Sequence, residues 1–274
     1  MHCTPRLLAP GFWKRSLDEF KRQSNIAIKL EGIRKRTTPF PLIHFDDASS
    51  LEACKTMSDA DVGGFSHASL DYIPPSSSEP AHVRFHGNIS LDLPPNRPEI
   101  QRTGYAAWRT KDRPPTLFGK SLWDIDPYKY LALRVKSDGR AYFVNLQTES
   151  IVPTDIHQHR LYSRTPGEWE TVLLKFREFE RTNYGMVVEP QREMLREKVR
   201  TVGIGLIDRV PGPFDLQISG IWATNDAGEE TGRKEVADEK SFGARWKEIE
   251  EAEPGEREKA NRPPENEKIL LGKD

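Results

Sequence analysis

The sequence predicts an all-β body, an antiparallel sandwich or barrel of about ten strands, on three observations. First, Leu131, Leu133 and Val135 alternate with polar neighbours, Asp138-Gly139 follows, and Tyr142, Val144 and Leu146 alternate beyond it. An Asp-Gly pair tolerates the positive φ angles of a type I′ turn, so the spacing predicts a hairpin with Val135 opposite Tyr142, Leu133 opposite Val144 and Leu131 opposite Leu146. Six apolar side chains would then share one sheet face and require a second layer. Second, apolar alternation recurs at Val202, Ile204 and Leu206, and again at Phe214, Leu216 and Ile218. Third, Pro74-Pro75, Pro94-Pro95, Pro114-Pro115, Pro166-Gly167 and Pro211-Gly212-Pro213 punctuate these runs, because proline cannot donate to an interior ladder.

Taken in order, Gly11 to about Ile33 reads as an amphipathic helix: Phe12, Trp13, Leu17, Phe20, Ala27, Ile28 and Leu30 recur at roughly helical spacing among basic and polar residues. Its apolar stripe requires a cover, supplied by the β body, a partner or a targeting receptor. Asp47 or Ser49 is positioned to cap a short helix over Ser49–Cys54. Strands are predicted near Leu42–Phe45 and over Ala68–Tyr72, His82–Ser90, Gly104–Arg109, Tyr130–Lys136, Arg140–Glu149, His157–Arg164, Trp169–Phe176, Thr201–Asp208 and Phe214–Ala223. In the last of these Gly220 shifts the alternation onto Ile221, the sign of a bulge. One surface helix is predicted over Pro190–Lys198.

The chain therefore divides into a basic amphipathic segment (1–40), a β domain (41–225) and a charged tail (226–274). In the tail, Phe242–Glu251 reads as a helix; the rest buries too little apolar area to offset about 1–2 kcal/mol of backbone entropy per residue and is expected to be mobile.

Across 274 residues, the apolar fraction of 36% and the charged fraction of 30% are lean for one packed globule and fit a solvated tail. A net charge of −1 gives no global field for nucleic acid. No apolar run approaches the ~20 residues that cross a bilayer as a helix, and Leu7-Leu8-Ala9 is too short for a secretory core. The Arg-rich, acid-poor start is compatible with mitochondrial targeting, and Cys3 and Cys54 form neither a disulfide framework nor a CxxC motif.

Candidate chemistry is sparse. His157 and His159 lie two apart on a strand and could share a face toward a metal; His82 and His86 complete the set, but no carboxylate follows at the spacing of an HxH site. Asp46-Asp47 and Asp59/Asp61 are carboxylate pairs that could suggest acid–base work or a calcium loop, but neighbouring pairs rarely converge on one substrate bond, Asp59-Ala60-Asp61 lacks the rest of an EF-hand loop, and Asp46-Asp47 reads as the strand end leading into the capped helix at Ser49–Cys54. The loop Ser58–Ser66 contains Gly63 and Gly64, with no Lys-Ser/Thr to make a phosphate loop. No GxSxG elbow occurs, and Gly203-x-Gly205 sits inside a strand. The reading is thus no catalytic residue, no cofactor and no metal ligand. Six tryptophans (Trp13, Trp108, Trp123, Trp169, Trp222, Trp246) keep a sugar-binding face as the alternative; Trp108, Trp169 and Trp222 are equally suited to filling the core.

Ser58-Asp59…Gly63-Gly64-Phe65-Ser66-His67-Ala68, then Phe85-His86-Gly87-Asn88-Ile89-Ser90, Gly104-Tyr105-Ala106 and Arg134-Val135-Lys136…Asp138-Gly139-Arg140…Tyr142-Phe143-Val144-Asn145 occur in that order. Glu168-Trp169-Glu170, Gly203-Ile204-Gly205 and Gly212-Pro213-Phe214 follow. From Leu42 to Asn225 the chain resembles the thirty-kilodalton complex I intermediate-associated protein family, with Cys54 at a position expected to be tryptophan in that family. The resemblance implies a galactose-binding-like jelly roll. It also implies a non-catalytic assembly factor in the mitochondrial matrix, at the matrix face of the inner membrane. The partners it implies are membrane-arm subunits and intermediates of complex I, other complex I assembly factors and peripheral inner-membrane contact, with no nucleic acid. On that expectation Phe12, Trp13, Leu17 and Phe20 are the partner-binding anchors, and Gly63, Gly64, Asp138, Gly139 and Arg140 shape structural turns.

Overall fold

The structure is a computed structural model and describes residues 11–29 and 38–226, apart from 151 and 153. The predicted tail helix lies outside the described residues. Among the described residues, one α-helix, α1 (Phe12–Lys29), precedes thirteen strands. They are β1 (Phe40–His44), β2 (Cys54–Ser58), β3 (His67–Ile73), β4 (His82–Ile89), β5 (Ala106–Thr110), β6 (Tyr130–Ser137), β7 (Tyr142–Thr148), β8 (Asp155–Arg160), β9 (Trp169–Lys175), β10 (Glu180–Asn183), β11 (Met186–Val187), β12 (Val199–Leu206) and β13 (Gly212–Thr224).

Two antiparallel sheets face each other, as the sequence predicts. The first has the order β3-β4-β13-β6-β9, and the second β11-β10-β8-β7-β12-β5-β2. β13 organises the first sheet: its beginning pairs with β4, its end with β1 along the same edge, and its other edge with β6. The β13–β6 register shifts between Ile218 and Gly220, so the predicted bulge is present. A Cβ on Gly220 would come within 2.8 Å of the His44 ring.

The expected hairpin at Asp138-Gly139 is not formed. β6 pairs with β13 and β9 in one sheet, whereas β7 pairs with β12 and β8 in the other, so the connection is a crossing between layers. Gly139 has φ 89°, but Asp138 is not among the residues with positive φ, and a type I′ turn needs both central residues there. That geometry occurs instead at Tyr184 (φ 49°) and Gly185 (φ 75°), where Asn183 pairs with Met186 between β10 and β11. The six side chains Leu131, Leu133, Val135, Tyr142, Val144 and Leu146 are all buried. Each strand is the cover that the other needs. Alternation fixed their inward face; it carried no information about which sheet each strand joins. Trp108 fills the same interior, with Phe45 edge-on to it at 5.7 Å.

The surface helix predicted over Pro190–Lys198 is also absent; only Arg196–Lys198 makes a 3-10 turn. Gln191 behaves instead as an added strand residue beside β10, accepting from Arg181 N at 2.7 Å and donating to Arg181 O at 3.0 Å. Tertiary hydrogen bonds therefore override a modest local helix preference. The sequence does not signal β2, β10 and β11, short segments at the two margins of the second sheet without repeated branched apolar residues; β2 and β11 are its edges.

Candidate docking surface

α1 carries a broad apolar stripe because Phe12, Ser16 and Phe20 recur every four residues, with Trp13 and Leu17 one position on. The sandwich covers only its margin. The Ser16 hydroxyl donates to Phe12 O at 2.9 Å and accepts from Leu117 N at 2.9 Å, and its burial pins the helix to the turn at 116–119. Phe20 stacks on Phe118 with centroids 6.3 Å apart. The rest of the stripe faces outward. Trp13 is 76% exposed, while Phe12, Leu17, Phe20, Leu117 and Phe118 lie between 41% and 62%. Lys14 and Lys21 are exposed on the same helix. Six large apolar side chains held together in water are the signature of a contact surface. Leu117 and Phe118 were not singled out in the sequence, since no periodicity links a loop to a helix one hundred residues earlier.

The turn residues have structural roles. Gly63, with φ 102°, ends a 3-10 turn over Asp59–Val62. Gly64 leaves room for the fully buried Asp59: a Cβ there would lie 2.6 Å from Asp59 Cγ. The Asp59 carboxylate accepts from Ser66 N at 2.7 Å, Ser66 Oγ at 2.8 Å, Gly104 N at 2.5 Å and Tyr105 N at 3.4 Å. One side chain thus gathers three loop segments. Asp138 accepts from Arg140 N at 2.9 Å, from the Tyr142 hydroxyl at 3.2 Å and from Asp215 N at 2.8 Å. Arg140 grips both oxygens of Asp208, at 3.0 and 2.8 Å, and donates to the carbonyls of Gly212, Pro213 and Val210. The two inter-sheet crossings, β6–β7 and β12–β13, are thereby locked together.

The candidate catalytic groups do not converge. His82 and His86 lie in the first sheet, and His157 and His159 in the second. His82 Nδ1 lies 2.8 Å from Pro80 O, and His86 Nε2 lies 2.6 Å from Asp71 Oδ2. His157 and His159 share one face, as expected; pairing with Leu146 and Val144 turns that face inward, where His159 packs against Phe179 at 5.2 Å. Burial and the nearby Arg181 hold the His157 imidazole below its ordinary pKa, only partly offset by Asp155. Among the described residues, no three His, Cys, Asp or Glu side chains are grouped to hold a metal ion. Asp47 caps the 3-10 helix Ala48–Ala53 through Ser49 N and Ser50 N, and the Ser49 hydroxyl holds its carboxyl below the usual range. Burial pushes the Cys54 thiol up to about 12. Of the tryptophans suited to the core, only Trp108 is fully enclosed. Trp169 and Trp222 are half-buried on the outer face of the first sheet, against His82 and His44.

The fold is therefore an antiparallel β-sandwich whose polar side chains brace its own loops and against which α1 leaves an apolar face exposed. The chain belongs to the Complex I intermediate-associated protein 30 (CIA30) family, whose model matches residues 43–218. A Neurospora crassa protein named Complex I intermediate-associated protein 30, mitochondrial, is 51% identical over 247 residues, covering 84% of this chain and 89% of that protein. The Drosophila melanogaster and Mus musculus proteins of the same name are 30% and 28% identical, over 61% and 66% of this chain. The matched region spans just over half the length of those two relatives, 57% and 55%. Among solved structures, the Family 11 carbohydrate-binding module of cellulosomal cellulase Lic26A-Cel5E of Clostridium thermocellum aligns at a TM-score of 0.48 and 12% identity, over 71% of this chain and 99% of the module. A likeness of that size carries no inference about ligand.

Proposed function

We propose that this chain is a non-catalytic assembly factor for mitochondrial NADH:ubiquinone oxidoreductase, binding membrane-arm intermediates through protein–protein contacts at the matrix face of the inner membrane. The observation that carries this reading is the outward apolar row Phe12, Trp13, Leu17 and Phe20, extended by Leu117 and Phe118. Family membership and the names of the relatives support the choice of complex I and of the mitochondrion. The use of Asp47, Asp59, His82, His86 and His159 in local bracing supports a binding role over catalysis.

Residues 41–225 form the platform in this reading, 1–40 the docking arm and 226–274 an accessory tail. Other assembly factors share the platform, and large aromatic anchors supply most of the contact energy. The test replaces Phe12, Trp13 and Phe20 by glutamate and follows co-purification with membrane-arm intermediates from mitochondria. Recovery falls at least tenfold while the sandwich keeps its melting temperature. Undiminished recovery by a stable variant overturns the reading.

A further inference from the structure

The apolar face of α1 has a candidate occupant within the same chain. The chain leaves the sandwich beside the loop that seats the helix: the Asn225 side chain accepts from Lys129 N at 3.1 Å and donates to Pro127 O at 2.9 Å. That loop runs back to Phe118 and Leu117, where α1 is pinned. Ten residues lie between Phe118 and Lys129, so the two sites are at most about 40 Å apart. Fifteen residues lie between Asp226 and Phe242, a stretch that can span about 55 Å when extended. The segment after Phe242 therefore reaches α1 without strain.

Its composition matches that surface. Phe242, Trp246 and Ile249 recur at spacings of four and three, which would place them on one helix face. Within Phe242–Glu251, Glu248, Glu250 and Glu251 outnumber Arg245 and Lys247, whereas on α1 Lys14, Arg15, Lys21, Arg22 and Lys29 outnumber Asp18 and Glu19, so the two segments carry opposite net charge. We infer that residues Phe242–Glu251 dock on the apolar face of α1 as an internal cover, which a partner must displace. The apolar residues supply the seat and the opposite charges set its orientation. A tethered cover acts at a high effective concentration, shielding Trp13 and Leu17 from non-specific contacts, yet it yields to a partner that offers more buried area. This inference rests on α1 being the docking face.

Zero-length carbodiimide cross-linking of the purified full chain, read by mass spectrometry, tests it. Links from Lys14 or Lys21 to Glu248, Glu250 or Glu251 are expected in the monomer-mass species. The variant F242E/W246E/I249E loses those links and binds an apolar fluorescent dye several-fold more strongly, with its melting temperature unchanged. Adding W13E/F20E returns dye binding to the parent level. Absent links, links confined to a dimer-mass species, or unchanged dye binding in the tail variant each overturn the cover; the second outcome assigns the face to another copy of the chain. Because the experiment contains no complex I component, it can fail while the co-purification result stands.

Discussion

Asp59 offers the sharpest test of how the loops at one end of the sandwich are held. Its carboxylate is fully buried and meets four donors, three of them backbone N–H groups. Asp59→Asn keeps the shape and replaces one oxygen by an NH₂ group. Placing the remaining oxygen at the Oδ2 position retains Ser66 Oγ, Gly104 N and Tyr105 N, but turns the NH₂ toward Ser66 N. Two donors then face each other in the interior. Losing one charge-assisted bond costs about 1.5–3 kcal/mol, and a buried donor left unpaired costs about 1–3 kcal/mol, with considerable overlap between the two. The expected loss is about 3 kcal/mol, or about 6–12 °C in melting temperature for a domain of this size. Ser66→Ala removes the Oγ bonds to Asp59 and Ser90 but leaves the Ser66 N–H contact, so it should cost about 1–2 kcal/mol. The double variant should fall short of the sum, because both changes act on one network. Thermal melts followed by circular dichroism measure all three variants. If Asp59→Asn melts within 1 °C of the parent, or the two changes add fully, the carboxylate is not what holds these segments.

Three further outcomes follow from other buried groups. Arg140→Ala removes the partner of Asp208 and the donor to three carbonyls, an expected loss of about 3–5 kcal/mol by urea denaturation; Arg140→Lys restores little, because an ammonium cannot reproduce the fork. Parent-like stability of the alanine variant would remove Arg140 as the link between the two crossings. His157 has its pKa lowered in the folded state, so the unfolded chain binds more protons as pH drops through the ordinary histidine range. Stability is therefore fully present above about pH 6.5 and declines as pH falls toward the depressed folded value. His44 is also lowered by burial and contributes with the same sign, so His157→Gln should flatten the melting-temperature profile between pH 7 and 5 only in part, and an unchanged profile would refute the assignment. With its pKa pushed up to about 12, Cys54 should resist iodoacetamide at pH 8 in a Cys3→Ser background and react fully once denatured. Rapid labelling of the native chain would contradict its enclosure.

The inward-facing residues of β6, β7, β12 and β13, the bulge at Gly220 and the amphipathic stripe of α1 were legible in the sequence, because side-chain periods of two and 3.6 record which face meets apolar surroundings. The Ser58–Ser66 loop was recognisable as structurally demanding from its paired glycines. Its centre, Asp59, was not, since Gly104 and Tyr105 enter the network from more than forty residues away. The same limit explains Asp138-Gly139-Arg140. Local turn chemistry identified the bend, but the Arg140 partners at Asp208, Val210, Gly212 and Pro213 convert it from a hairpin into a crossing between sheets. The helical spacing of Phe12, Trp13, Leu17 and Phe20 was legible in the sequence, whereas the meeting of this stripe with Leu117 and Phe118 depended on the packing of α1. Sequence thus determined which faces must avoid water; only the tertiary structure decided which face covers which, because burial is enforced residue by residue while pairing is a choice among distant strands and loops.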